Sequence, residues 1–122
     1  MATTLSSTFR LDSSTGTDPV NISLAPTFSL KDPAASGSLT TVLAVSNQIL
    51  SVSVTDDVYL LIRNTGASTN GNVLVTAGLT SNNIGLLKPQ DFLFLPLKGG
   101  VGANVIYDTA ITTLDWFYWT RS

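Results

Sequence analysis

A chain of 122 residues with no cysteine, no histidine and a formal net charge of −2 is long enough for one domain with its own core. The missing residue types exclude disulfide frameworks, Cys or His zinc sites, thiol nucleophiles and every triad built on imidazole. Only 11% of residues are charged, eight acidic side chains (all Asp) against six Lys and Arg, so no basic stripe exists for a nucleic-acid groove.

Hydrophobic residues make up 43% of the chain, and with so little charge part of the surface is expected to be covered by partners. Ser and Thr, 31 residues together, replace charge, which is the usage of strands and turns. No apolar run approaches the roughly 20 residues of a membrane span. Met1–Ser7 lacks a charged segment followed by an apolar core, so no signal peptide is expected and the protein should fold where it is made.

Residues 1–19 are polar apart from Phe9–Leu11 and stop at Asp18-Pro19, which predicts a flexible or partner-ordered arm ahead of a single domain over 20–122. Val20, Ile22 and Leu24 alternate, break at Pro26 and resume at Phe28 and Leu30: a strand, a kink and a second short strand. Lys31–Ser38 reads as a loop by composition. In Leu39–Val45 the β-branched residues favour a strand, and Ser46-Asn47 supplies a turn. Ile49–Val54 alternates, predicting Leu50, Val52 and Val54 inward, and Asp56-Asp57 predicts a tight hairpin rather than a calcium site, for which no spaced acidic loop is present.

Val58–Asn64 is the densest apolar run of the first half and predicts the central strand, with Val58, Leu60 and Ile62 toward the core and Tyr59, Leu61 and Arg63 on the other face. A loop over Thr65–Gly71 leads to a strand at Asn72–Ala77. Gly78 to Asn83 reads as another polar connection, Leu86-Leu87-Lys88-Pro89-Gln90-Asp91 as a β-turn with Pro at its second position, and Phe92–Leu97 as a strand with a bulge or edge near Pro96. The glycines of Lys98–Gly102 precede a predicted strand, Ala103–Tyr107, and not the helix that a phosphate loop requires. The last strand is Thr113–Thr120. These elements predict an all-β fold, an antiparallel β-sandwich or jelly roll of about eight or nine short strands.

Nothing in this pattern carries catalysis. The Asp residues neighbour turn-forming residues, where capping and turning are their ordinary work. No histidine activates a hydroxyl and no Ser-x-x-Lys occurs, so no enzyme activity, catalytic residue, metal or cofactor is expected. Asn21-Ile22-Ser23 matches a glycosylation acceptor and is read as chance without a secretory signal. The strongest feature is Trp116-Phe117-Tyr118-Trp119, four aromatics on one strand. Trp116 and Tyr118 share one face, Phe117 and Trp119 the other. One pair enters the sheet interior, and the second packs on a subunit, on the chain itself or on a sugar. Aromatic enrichment in interface cores puts subunit contact first, with Phe9, Leu11, Trp116, Phe117, Tyr118 and Trp119 as candidate interface residues.

Over residues 58–120 the chain resembles small virion proteins of tailed bacteriophages. Leu60-Leu61-Ile62-Arg63-Asn64-Thr65 leads to Val73-Leu74-Val75, then to Ile84-Gly85-Leu86-Leu87-Lys88-Pro89-Gln90-Asp91, Phe92–Leu97 and an aromatic strand. In such proteins a strand ending in Arg-Asn or Lys-Asn is followed by a polar loop, a leucine and Pro-Gly turn, and an apolar strand; here Gln90 stands where Gly is commoner. The resemblance implies a β-sandwich capsid decoration or cement protein, most often a homotrimer, contacting the major capsid protein or another virion protein. It also implies a place in the virion after assembly in the host cytoplasm. A tail-associated, carbohydrate- or receptor-binding module is the alternative. The resemblance transfers no functional residue.

Overall fold

In the computed structural model the described residues are 3–12, 21–40, 46–78, 83–108 and 110–122. They form eleven strands: β1 (Thr3–Ser6), β2 (Phe9–Asp12), β3 (Asn21–Leu24), β4 (Thr27–Thr40), β5 (Asn47–Leu50), β6 (Val58–Asn64), β7 (Asn72–Ala77), β8 (Asn83–Leu87), β9 (Phe92–Leu97), β10 (Ala103–Asp108) and β11 (Thr113–Arg121). A five-stranded sheet has the order β1-β4-β11-β6-β9, a four-stranded sheet the order β5-β10-β7-β8, and β2 and β3 pair alone as a ribbon. Every pairing is antiparallel. The fold is all-β, as the sequence predicts, and its two larger sheets pack as a sandwich.

Period-two alternation explains the core. Val58, Leu60 and Ile62 of β6, Leu97 of β9 and Leu114 of β11 are buried in one cluster with Leu50 of β5, Val73 and Val75 of β7, Leu87 of β8 and Ala103 and Val105 of β10. One apolar face of each sheet therefore lies against the other. Val58, Leu60 and Ile62 have no exposed surface, and each such side chain contributes about 1.5–3 kcal/mol by leaving water.

Several predicted elements change. The middle of the five-stranded sheet is β11, with β6 beside it, and both have a paired strand on each side. The predicted Lys31–Ser38 loop is strand, part of the fourteen-residue β4. Its turn-forming residues have another use: the register against β11 slips between Trp119, opposite Ala34, and Thr120, opposite Lys31. Asp32 and Pro33 are thus the extra residues of a bulge, where a residue without an N–H is tolerated. Gly37 lies opposite Trp116, and a Cβ there would sit 2.9 Å from the indole Cζ2, so this glycine makes room for a ring.

The predicted strand Ile49–Val54 stops at Leu50. The Ser53 N–H donates to Ser51 Oγ at 3.1 Å and the Val54 N–H to the Ser51 carbonyl at 3.1 Å, so local hydroxyl bonding outcompetes the ladder. Asp56-Asp57 is not a hairpin, because β5 and β6 belong to different sheets; the segment crosses between layers. Asp57 Oδ1 accepts the Gly99 N–H at 2.8 Å, and Asp56 faces Lys31 at 3.9 Å. β8 takes in Asn83 of the predicted polar connection and Leu86-Leu87 of the predicted turn; its strand pattern is hidden because Gly85 interrupts it and Ile84 and Leu86 point outward, 43% and 47% exposed. The strand count exceeds the expected number because β8 and the two strands of the N-terminal segment, β1 and β2, add to it. Residues 1–2 and 13–19 of that segment, and residues 41–45 of the predicted Leu39–Val45 strand, lie outside the described residues.

Candidate interaction surface

The two aromatic rows of β11 separate as its alternation requires. Trp116 and Tyr118 pack against the core from inside the sandwich, their rings stacked at 6.2 Å between centroids and 9° between planes. Phe117 and Trp119 are on the outer face, stacked at 6.0 Å and 7°. The register sets Phe117 opposite Leu61 and Trp119 opposite Tyr59, so the second face of β6 meets the second row of β11 as cross-strand pairs, the unit that stabilises a sheet.

Tyr59 is covered from the chain itself. Its ring lies 4.6 Å from that of Phe28 and 5.7 Å from that of Phe94, and the Arg121 guanidinium sits 4.9 Å above it. This cation over an aromatic face closes the outer side of the sheet at one end. Farther along, the end of β1, the ribbon and the outer face of the sheet bound a cleft of about 690 Å³, lined by Leu5, Ser6, Ser7, Thr8, Phe9, Leu24, Pro26, Phe28, Leu61, Phe92, Leu93, Phe94 and Trp119. Among the described residues no charged side chain lines it.

The ribbon is amphipathic by register. Phe9 pairs with Leu24 and Leu11 with Ile22, while Arg10 pairs with Ser23 and Asp12 with Asn21. Opposed residues share a face, so four apolar side chains point one way, and the other side carries polar groups with an Arg10–Asp12 ion pair. The apolar side is open: Phe9 is 38%, Leu11 46%, Ile22 42% and Leu24 53% exposed. Phe92, at the start of the edge strand β9, is 53% exposed beside the cleft.

Of the candidate residues, Phe9 and Trp119 meet in the cleft, Leu11 extends the ribbon beyond it, Phe117 lies on the outer sheet face, and Trp116 and Tyr118 are interior. Ile22, Leu24 and Phe92 belong to the same surface and were not singled out from sequence. The matched alternation of Phe9/Leu11 and Ile22/Leu24 on either side of a polar stretch is the signal that joins them.

Five of the Asp side chains that the structure describes are used locally. Asp12 pairs with Arg10, Asp91 accepts the Lys88 N–H, Asp115 accepts the Ser38 hydroxyl at 2.6 Å, and Asp56 and Asp57 have the partners given above. Among the described residues no three His, Cys, Asp or Glu are grouped to hold a metal ion. Among the described residues no helix is long and apolar enough to cross a membrane. No protein-family model, curated protein or solved structure matches this chain. Fold and surface together define an antiparallel β-sandwich with an open apolar ribbon and an aromatic cleft.

Proposed function

We propose that the protein is a non-enzymatic structural component of a virion, a capsid decoration or cement protein that stabilises the shell through subunit contacts. The observation that carries this reading is the ribbon: four apolar side chains on one face, each between 38% and 53% exposed, continuous with an apolar cleft. Exposed contiguous apolar surface of this kind marks an interaction site, and a contact protein needs area and shape where an enzyme needs placed polar groups. The resemblance of residues 58–120 to phage virion proteins supplies the setting, with copies of this chain and the major capsid protein as partners.

The test is addition of the purified chain to shells assembled without it, followed by sedimentation and heating. Co-sedimentation at a fixed ratio and a higher disruption temperature are the expected results. Shells that neither take up the chain nor gain stability would sink the proposal. A carbohydrate-binding reading is favoured by one feature, Trp119 sharing the cleft with Ser6, Ser7 and Thr8; saturable binding on a glycan array would establish it in place of the cement role.

A further inference from the structure

The ribbon and the cleft are complementary in chemistry, and their placement on one chain suggests what fills them. The ribbon offers the side chains of Phe9, Leu11, Ile22 and Leu24 on a face whose distal half, Leu11 and Ile22, lies outside the lining of the chain's own cleft. The cleft offers apolar walls around Leu61, Phe92 and Trp119 and carries no charge. At about 30 Å³ per water, on the order of twenty waters would occupy a space of this size, and their release from apolar walls favours an apolar occupant.

We infer that this occupant is the ribbon of a second copy, so that two copies exchange ribbons in a two-fold homodimer. The inference rests on the contact role proposed above and names its first partner. Surface area decides between one-way and reciprocal seating. A fully exposed large side chain offers about 150–200 Å², so the fractional exposures of the four ribbon residues leave about 300 Å² of apolar surface. Covering it against a matching area of cleft wall removes about 600 Å², within the range of non-specific packing contacts, whereas two such insertions across one two-fold interface reach about 1,200 Å², where specific interfaces begin. Giving and taking must therefore occur between the same two copies, which two-fold symmetry ensures. A net charge of −2 offers little repulsion between copies, and the ribbon's one ion pair lies on its polar side, away from the seat.

Cysteine cross-linking tests this cleanly, because the chain has no cysteine. Ile22→Cys and Phe92→Cys, both at exposed positions, are made in separate full-length chains, mixed and oxidised. The expected product is a disulfide-linked pair containing one chain of each kind. Light scattering at tens of micromolar should give a dimer for the parent chain, at least a tenfold weaker association for Leu11→Asp, and unchanged association for Ser23→Asp on the polar side. Near-ultraviolet circular dichroism identical to the parent keeps Leu11→Asp informative. A monomeric parent chain overturns the inference, as does a disulfide that forms only within a chain carrying both cysteines, the mark of a ribbon closing on its own cleft. Shell binding separates the two readings: a monomer that still decorates shells defeats the oligomer alone, and an oligomer that ignores shells defeats the cement role alone.

Discussion

Replacing Asn64 by Ala should remove a large part of the stability of this domain. The residue ends β6 with no exposed surface, and its amide makes four hydrogen bonds. Nδ2 donates to the Gly71 carbonyl at 3.1 Å and the Leu87 carbonyl at 3.0 Å, while Oδ1 accepts the Gly66 N–H at 3.0 Å and the Thr112 hydroxyl at 2.9 Å. One side chain thus ties the β6–β7 loop, the end of β8 and the β10–β11 connection together at one end of the sandwich. Each bond is worth about 0.5–1.5 kcal/mol net, and buried groups left without the amide add to the loss. The four together give about 2–6 kcal/mol, and we expect about 4 kcal/mol, against a typical total of about 5–15 kcal/mol.

Urea unfolding followed by the fluorescence of Trp116 and Trp119 measures it. With a slope of about 2 kcal/mol/M for a domain of this size, the midpoint should fall by about 2 M with the slope unchanged. A shift under about 0.5 M, equivalent to roughly 1 kcal/mol on that slope, would show that the four bonds are replaced by water, and the reasoning would be wrong. Asn64→Asp sharpens the test, because it keeps the shape but turns the donor toward two carbonyl oxygens into an acceptor. Burial and those oxygens raise the carboxyl's folded pKa above its unfolded value of about 3.9. The folded state then holds the proton more tightly, so the stability of this variant should fall as pH rises from about 4 toward neutrality, whereas Asn64→Ala shows no such dependence.

Gly66→Ala should disturb the same junction, since its Cβ would stand 2.1 Å from Thr112 Oγ1; we expect a loss of about 2–4 kcal/mol by thermal or urea unfolding, and a loss below 0.5 kcal/mol would refute the packing. Gly37→Val should push the Trp116 ring off its seat and shift its emission to the red, at about 1–3 kcal/mol; an unshifted spectrum would contradict the contact. Gln90 has φ of 74° as the third residue of the Pro89 turn, closed by the Asp91 N–H on the Lys88 carbonyl at 2.9 Å. There Gln90→Gly relieves about 1–2 kcal/mol of left-handed backbone cost. It also gives up the bonds from Gln90 Nε2 to the Gly66 carbonyl and from Arg63 Nη2 to Gln90 Oε1, both near 3 Å, so the net change should stay within about 1 kcal/mol and become stabilising in an Arg63→Ala background.

Strands whose burial follows from their own alternation were legible. Val58–Asn64, Asn72–Ala77 and Phe92–Leu97 have the predicted bounds, and the split of β11 into two aromatic rows follows from a period of two. What was not legible depends on partners distant in sequence. Gly37 signals a turn in isolation and a ring contact only beside Trp116, 79 positions on. Asn64 reads as the start of a turn, and only the meeting of Gly71, Leu87 and Thr112 shows it as a buried junction. Gln90 in place of Gly is explained by Gly66 and Arg63, which lend its side chain the bonds that offset its backbone. The ribbon was hidden because Phe9/Leu11 and Ile22/Leu24 are each too short to stand as strands alone, and their common face appears once the register is known.

The position of β11 has a consequence for how the molecule is made. Residues 113–121 are the last strand in the chain, yet they lie between β4 and β6. A ribosome that has synthesised the first hundred residues has therefore produced two separate pairs, β1–β4 and β6–β9, in which β4 and β6 each keep one edge open for a strand not yet made. Pairings that span so much sequence are slow and leave apolar edges open meanwhile. The five-stranded layer can close only when its final nine residues emerge, so folding is timed by the completion of that segment, and a nascent chain stalled before it would be an aggregation hazard.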